Sequence, residues 1–366
     1  MRKRSDDGRR AFSPASRRAM RPIPRSLQEA WLETRSDVQE KPEAAAVSSA
    51  KRDSELWFED GNLVLVAGDV EFKVYRGPLI AHSLVFRDML SLPQPSSADH
   101  SERTEELCPV IPLHDSPDDL RHVLRVFVPG SSLRAGALEP SFEEASACIR
   151  IGHKYQIEAL VQRNLAFLAR LYPSDFDSYL AARRRGRPPN FTPAHAIGVV
   201  NLARLAGEIS LLPAALMECC SLGANIVHGL ERPDGTREML SPEDLGRCFV
   251  GRARMAQASA RIAHQMFRQS VSRGCRHPAC CLRVLQRLLN ELGDARIELV
   301  SNLDWCAAWT EYLDEKDDQR ELCGKCYKML EEERPRQLQR EVWQVLPTMM
   351  GVPPPENWGE KRKEGS

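Results

Sequence analysis

Strand patterns in this sequence are confined to one short stretch, and the patterns that follow it are helical. The run NLVLVA at 62–67 is continuously apolar, as a buried strand is, and VEFKVY at 70–75 alternates apolar and polar residues. A Gly-Asp pair separates the two runs, so together they predict a β-hairpin. CPVIPL at 108–113 predicts a third strand, and no strand pattern is found from residue 174 onward. The expected fold class is therefore α+β, with a short-stranded sheet capped by helices and an all-α region after it.

Helical periodicity begins directly after the hairpin. Leu79, Ser83, Phe86 and Leu90 recur at spacings of four, three and four residues, which places them on one face of a helix. Further helices are predicted at 117–128, 141–153 and 156–171, and then from residue 194 almost to residue 350.

Composition divides the chain into five segments. The first 53 residues are poor in large apolar side chains, which predicts disorder. Within them, Ser26 and Glu29 form a capping-box pair that indicates a short helix at 27–35, or else a transient helix in a mobile tail. The predicted segments are a basic tail at 1–53, an α+β domain at 54–173, a helical extension at 174–270, a helical region with a candidate metal site at 271–350 and a flexible tail at 351–366.

Cysteines in the last third of the chain have the spacing of a metal site. Cys323 and Cys326 form a C-x-x-C pair, and CRHPACC supplies further cysteines more than 40 residues upstream. Zinc is often held by two short-spaced pairs that the fold brings together. The apolar stripe of the helix after CRHP runs back to Cys281, so Cys281 is expected to face the helical core and Cys280 to face the metal. The prediction is a structural zinc ion bound by Cys275, Cys280, Cys323 and Cys326, with His277 and Cys281 as reserve ligands.

Catalysis is not expected of this chain. A redox dithiol would use Cys323 as nucleophile, but the preceding run DEKDDQRE is largely acidic and opposes thiolate formation, and no βαβ pattern surrounds the pair. A third interpretation of the cysteines, as reduced side chains packed in a core, stays open. The sequence has no phosphate-binding glycine loop, no G-x-S-x-G and no H-E-x-x-H, so no small-molecule substrate is expected either.

Charge and cysteine usage bear on partners and location. Lys plus Arg equals Asp plus Glu, 51 each, which predicts no nucleic-acid partner, and no apolar run approaches a membrane span. The first 25 residues carry nine basic residues against two acidic ones, typical of a solvated tail or of a nuclear localisation signal. Eleven unevenly spaced cysteines indicate a reducing, intracellular compartment, cytoplasmic or nuclear.

Two long stretches resemble a known family. LWFEDGNLVLVAGDVEFKVYRGPLIAHSLVFRDMLSLPQ resembles the start of a fungal BTB/POZ domain, and FEEASACIRIGHKYQIEALVQRNLAFLARLYP resembles the closing helix pair of that domain. AIGVVNLARLAGEISLLPAALMECC, LCGKC and REVWQVLPTMMGV are similar to the helical C-terminal extension of fungal BTB proteins. The resemblance covers roughly residues 55–355. Tyr75 departs from the pattern, because a histidine often follows the second strand.

The resemblance implies a protein-interaction module that is commonly a homodimer and has no catalytic activity. It also implies a core that contains Phe72, Val74, Leu79, Ser83 and Phe86. Some relatives are adaptors of cullin-type ubiquitin ligases and others are transcription regulators. Both roles remain alternatives to a plain interaction scaffold.

Overall fold

The computed structural model describes residues 50–91, 108–128, 139–295 and 303–360. The predicted tail and its helix at 27–35 lie outside these residues, except for the last few positions of the tail. Residues Ala50–Ser366 form one compact unit.

A four-stranded mixed sheet contains the predicted hairpin. The strands run in the order β1-β3-β2-β4, with β2 and β3 antiparallel and Leu65 opposite Phe72. The outer strands β1 and β4 lie parallel to β3 and β2, respectively. The strand bounds are β1 Lys51–Trp57, β2 Leu63–Ala67, β3 Val70–Val74 and β4 Val110–Leu113.

Strand β1 was not predicted, and it begins inside the segment expected to be disordered. Its sequence KRDSELW has the charged residues typical of an edge strand, and its burial pattern leaves only Asp53 and Leu56 fully buried. An edge strand pairs on one side only, so it can carry charges that a central strand cannot. The ordered part of the chain therefore starts a few residues before the predicted boundary.

Five helices pack on the sheet half of the molecule. They are α1 Arg76–His82, α2 Leu84–Ser91, α3 Pro117–Phe127, α4 Phe142–Lys154 and α5 Glu158–Leu171. The single helical stripe predicted after the hairpin is divided at Ser83, which is extended. Its Oγ accepts a hydrogen bond from Phe86 N–H (3.0 Å) and donates one to the carbonyl oxygen of Tyr155 (2.5 Å). Ser83 thus starts α2 and fastens it to the end of α4.

The remaining helices form the helical region expected from the sequence. They are α6 Phe176–Arg185, α7 His195–Ala206, α8 Leu212–Ser221, α9 Pro242–Met266, α10 Pro278–Ala295, α11 Thr310–Lys316, α12 Gly324–Lys328 and α13 Arg334–Met349. The region is not all-α, because Leu230–Glu231 (β5) pairs with Arg237–Glu238 (β6). The connecting turn contains Pro-Asp-Gly, with Gly235 at a φ of 76°, and strands of two residues are too short to show an alternating pattern.

Two buried apolar clusters share the helices α4 and α5. The sheet cluster includes the expected core residues Phe72, Val74, Leu79 and Phe86, and Ser83 is buried beside them. A larger cluster fills the helical region. Helix α4 contributes Cys148 and Ile151 to the first cluster and Phe142, Ala145 and Ile149 to the second. The core is therefore continuous through α4. The segment boundaries predicted at 173 and 270 remain predictions.

Candidate metal centre

Two of the candidate ligands, Cys275 and Cys281, lie where a loop enters α10. Cys275 N–H donates to the carbonyl oxygen of Ser272 (3.0 Å), which closes a turn in that loop. Cys281 is in the first turn of α10, with its N–H bonded to the carbonyl oxygen of His277 (3.0 Å). Its side chain is fully buried on the same face as Leu285 and Leu288.

The other two candidate ligands are the C-x-x-C pair at the start of α12. Cys323 is the N-cap residue of this helix, and its carbonyl oxygen accepts from Tyr327 N–H (3.0 Å). Cys326 is one turn further along and is fully buried. A spacing of three residues at a helix start turns both thiols to the same side. The pair therefore faces the α10 entry as one two-sulfur unit.

The four sulfur atoms of Cys275, Cys281, Cys323 and Cys326 all lie within 4.8 Å of one another. The Sγ atoms of Cys275 and Cys323 are 3.8 Å apart. This is far longer than a disulfide bond, and all four cysteines are free thiols. A zinc–sulfur distance of about 2.3 Å in a tetrahedron requires sulfur atoms about 3.8 Å apart. The spacing fits a metal ion bound by four thiolates, and no other group of this kind is found among the described residues.

The cluster contains the reserve residue Cys281 in place of Cys280, which was expected to be a ligand. Cys280 Sγ lies outside the cluster, 3.9 Å from the carbonyl oxygen of Glu321, and His277 is exposed and also outside it. The apolar stripe does place Cys281 toward the helical core, as expected from Leu285. The cluster sits at the edge of the core, so the residue on the buried face of α10 reaches it.

The thiols differ strongly in acidity. Burial opposes ionisation of Cys323, but hydrogen bonds from Cys326 N–H and from the neighbouring thiols outweigh it and lower the pKa to about 7. Burial raises the pKa of Cys326 to about 12 and also raises the pKa of Cys281. One thiolate is thus available near neutral pH, and a bound divalent ion would have to displace the other protons.

Polar groups around the cluster fix both of its halves. Cys323 N–H points at Cys281 Sγ over 3.5 Å, an N–H to sulfur contact across the site. The buried carboxylate of Asp317 accepts from Glu321 N–H (2.9 Å) and Leu322 N–H (3.2 Å), which holds the turn before the C-x-x-C pair. Such supporting contacts orient ligands before a metal binds.

Arg334 likewise fixes the loop before α10. Its guanidinium is buried and donates to three backbone carbonyl oxygens, those of Met266 (2.5 Å), Arg268 (3.4 Å) and Ser270 (2.7 Å). Neither Arg334 nor Asp317 was singled out in the sequence. A buried charge at one end of the chain that binds backbone 64 or more residues away leaves no local pattern.

Four of the other cysteines pack in the cores, and they are Cys148, Cys219, Cys220 and Cys248. Cys219, Cys220 and Cys248 are buried where α8 meets α9, and the Cys220 thiol donates to the carbonyl oxygen of Cys248 (3.4 Å). Burial raises the pKa of the Cys148 thiol to about 12.

Comparison with known proteins finds no matching family model, no matching characterised protein and no matching solved structure. Within the described ranges, none of the helices has the length and apolar character needed to cross a bilayer.

Proposed function

We propose that this chain is a non-catalytic protein-interaction scaffold of the BTB/POZ type whose helical region is held together by a structural zinc ion. The observation that carries the metal part is the mutual spacing of the four sulfur atoms. Four protein ligands complete the tetrahedral coordination of zinc and leave no open position for a water molecule or a substrate. A metal at this site would therefore stabilise the fold.

The donor set favours zinc over harder ions. Thiolate sulfur is a soft ligand, and a four-sulfur tetrahedron is typical of structural zinc sites, whereas calcium and magnesium take oxygen ligands. The pairs Cys275/Cys281 and Cys323/Cys326 are more than 40 residues apart in sequence. Bound zinc would fasten the entry of α10 to the start of α12.

The position of the C-x-x-C pair also supports a structural role. Cys326 is fully buried, and Cys323 lies against Cys275. A disulfide-exchange enzyme needs an accessible thiolate with its partner cysteine behind it. Cys323, with its pKa lowered to about 7, and the buried Cys326 meet that description, but Cys275 and Cys281 lie against the pair and complete a four-sulfur group that disulfide exchange does not need.

The interaction part rests on the BTB resemblance together with the arrangement of the sheet half. The hairpin leads into α1 and α2, and the Ser83–Tyr155 hydrogen bond joins them to the helix pair formed by α4 and α5. The same half exposes three large apolar side chains, Leu84 (52%), Val110 (58%) and Val126 (41%). Self-association through this half would remove them from water.

Light scattering of the full chain tests the scaffold proposal. The expected mass is twice the chain mass of 41.3 kDa. Leu84→Asp combined with Val110→Asp is expected to yield monomer, because it places two charges in the apolar contact. Phe249→Asp is the matched control, since Phe249 is 60% exposed on the helical half. A monomeric wild-type chain at micromolar concentration would contradict self-association. The metal is tested independently by the zinc content of the purified chain, expected to be one ion per chain.

A further inference from the structure

The four clustered thiols differ in their access to solvent. Cys281 and Cys326 are fully buried, whereas Cys275 and Cys323 are partly exposed. The two exposed thiols are also close to each other, with their sulfur atoms 3.8 Å apart. Because oxidation of a thiol depends on its exposure, a small oxidant in solution reaches Cys275 and Cys323 before it reaches the buried pair.

The exposed pair belongs to the two elements that a bound metal ion would join. Cys275 lies in the loop before α10, and Cys323 is the N-cap residue of α12, 48 residues later in the chain. A bond between their sulfur atoms would therefore connect the same two elements as a zinc ion. A disulfide between Cys323 and Cys326 would instead lie within the start of one helix and connect nothing to it.

Contacts that do not involve sulfur hold these two elements together. A Cβ atom built on Gly274 would lie 2.5 Å from Nζ and 2.7 Å from Cδ of Lys325, so the Lys325 side chain lies directly on the loop that carries Cys275. Asp317 binds the backbone before the C-x-x-C pair, and Arg334 binds the backbone before the loop. The surrounding protein thus keeps the two exposed thiols adjacent to each other.

We propose that a peroxide oxidises Cys275 and Cys323 to a disulfide, which releases the zinc ion and takes over its structural role. This switch rests on the proposed zinc site and adds its regulation. One thiolate of the pair attacks a peroxide oxygen, so that an S–O bond forms, the O–O bond breaks and the other oxygen leaves as water after taking up a proton. The second thiolate then attacks the sulfenic acid, the S–S bond forms and hydroxide leaves. With hydrogen peroxide, two thiolates lose two electrons in total, and one peroxide and two protons become two water molecules.

The movement required for this bond is small. A disulfide bond is about 2.05 Å long, so each of the two sulfur atoms would move by about 0.9 Å. The remaining thiolates of Cys281 and Cys326 offer two ligands, whereas a structural zinc ion takes four, so the ion dissociates. Because the disulfide joins the loop before α10 to α12, oxidation should leave the helical region folded. Removal of zinc from the reduced chain leaves no such link.

Oxidation of the zinc-loaded full chain with hydrogen peroxide tests the proposal. A chromogenic chelator measures the released zinc, and peptide mapping by mass spectrometry under non-reducing conditions locates the disulfide. One zinc ion should be released for each Cys275–Cys323 disulfide, and a dithiol reductant with added zinc should reverse both changes. Cys280→Ser is the matched control, because Cys280 is also partly exposed but lies outside the cluster. Its removal should leave the amounts of released zinc and of disulfide unchanged.

Urea unfolding distinguishes replacement of the metal ion from its simple loss. The oxidised, zinc-free chain should unfold at a higher urea concentration than the reduced chain in chelator, because its disulfide closes a long loop in the unfolded state. Zinc retained in peroxide, a disulfide that maps to Cys323 and Cys326, or equal urea midpoints would each overturn the proposal. A chain that holds no zinc before oxidation would contradict the proposed zinc site and the release step with it. Mapping on that chain would still show whether Cys275 and Cys323 form the disulfide.

Discussion

Replacing Cys281 with serine tests which of two adjacent residues, Cys280 or Cys281, is a ligand of the proposed metal centre. Serine keeps the shape of the side chain, but its hydroxyl stays protonated at neutral pH and is a poor zinc ligand. Cys281 is fully buried within the sulfur cluster, whereas Cys280 is partly exposed outside it. Cys280→Ser is therefore a matched control, with the same chemical change one residue away.

The size of the effect depends on the metal. In metal-free protein, a buried hydroxyl at position 281 costs about 1–3 kcal/mol, because Cys323 N–H donates to it but its own proton is removed from water. Structural zinc supplies about 10–16 kcal/mol of apparent binding free energy. A domain has a net stability of only about 5–15 kcal/mol, so the loss of a ligand should leave the helical region without a stable fold. Cys280→Ser should change stability by less than about 0.5 kcal/mol.

Zinc content and denaturant unfolding, each with and without a strong chelator, measure these effects. The wild-type chain and Cys280→Ser are expected to hold one zinc ion and to lose both zinc and stability in chelator. Cys281→Ser should hold no zinc, and its unfolding midpoint should lie below that of the chelated wild-type chain and not change in chelator. Retention of zinc by Cys281→Ser, or its loss from Cys280→Ser, would refute the ligand assignment. A wild-type unfolding curve that chelator leaves unchanged would refute the metal centre.

Two further substitutions test buried charges. Arg334→Met should lower the free energy of unfolding by about 3 kcal/mol, because three carbonyl oxygens lose a charged donor. Arg336 is exposed, so Arg336→Met should have little effect. Equal urea midpoints for the two variants would contradict the role of Arg334. Burial opposes ionisation of Asp53, but hydrogen bonds from Arg121 and from two backbone N–H groups outweigh it and lower the pKa below 3.8. Its stabilisation is thus present at neutral pH and lost as pH falls below 3.8 through the folded-state pKa. Asp53→Asn should flatten the acid limb of the stability curve, and an unchanged limb would show that Asp53 contributes nothing to it.

Local patterns predicted the parts of the fold that local physics determines. The hairpin follows from a two-residue turn between two strand patterns, and its register places Leu65 opposite Phe72 as expected for a shared buried face. The interruption at Ser83 could not be predicted, because it depends on the carbonyl oxygen of Tyr155, 72 residues away. Strand β1 was missed for a similar reason, since among the described residues it pairs with β3, which follows β2 in the chain.

The candidate site shows the same division. Three of the four clustered cysteines were predicted from spacing, because C-x-x-C at a helix start is a local arrangement. The choice between Cys280 and Cys281 required the position of α12 relative to α10, which helical periodicity does not contain. Periodicity did identify Cys281 as the residue that faces inward. Whether an inward cysteine packs in the core or joins the sulfur cluster depends on tertiary contacts, here those with Cys323.

Helix α4 determines how the chain can be divided. Its Cys148 and Ile151 belong to the sheet core, and its Phe142 and Ile149 belong to the helical core. A fragment that ends at residue 173 would retain the helix but turn its second apolar face to water, and such a fragment is expected to aggregate. The two halves thus share helix α4, and separating them by proteolysis or recombination would expose one of its apolar faces. A partner that binds one half therefore acts on a protein whose two halves unfold together. Recombination would likewise have to transfer the two halves together.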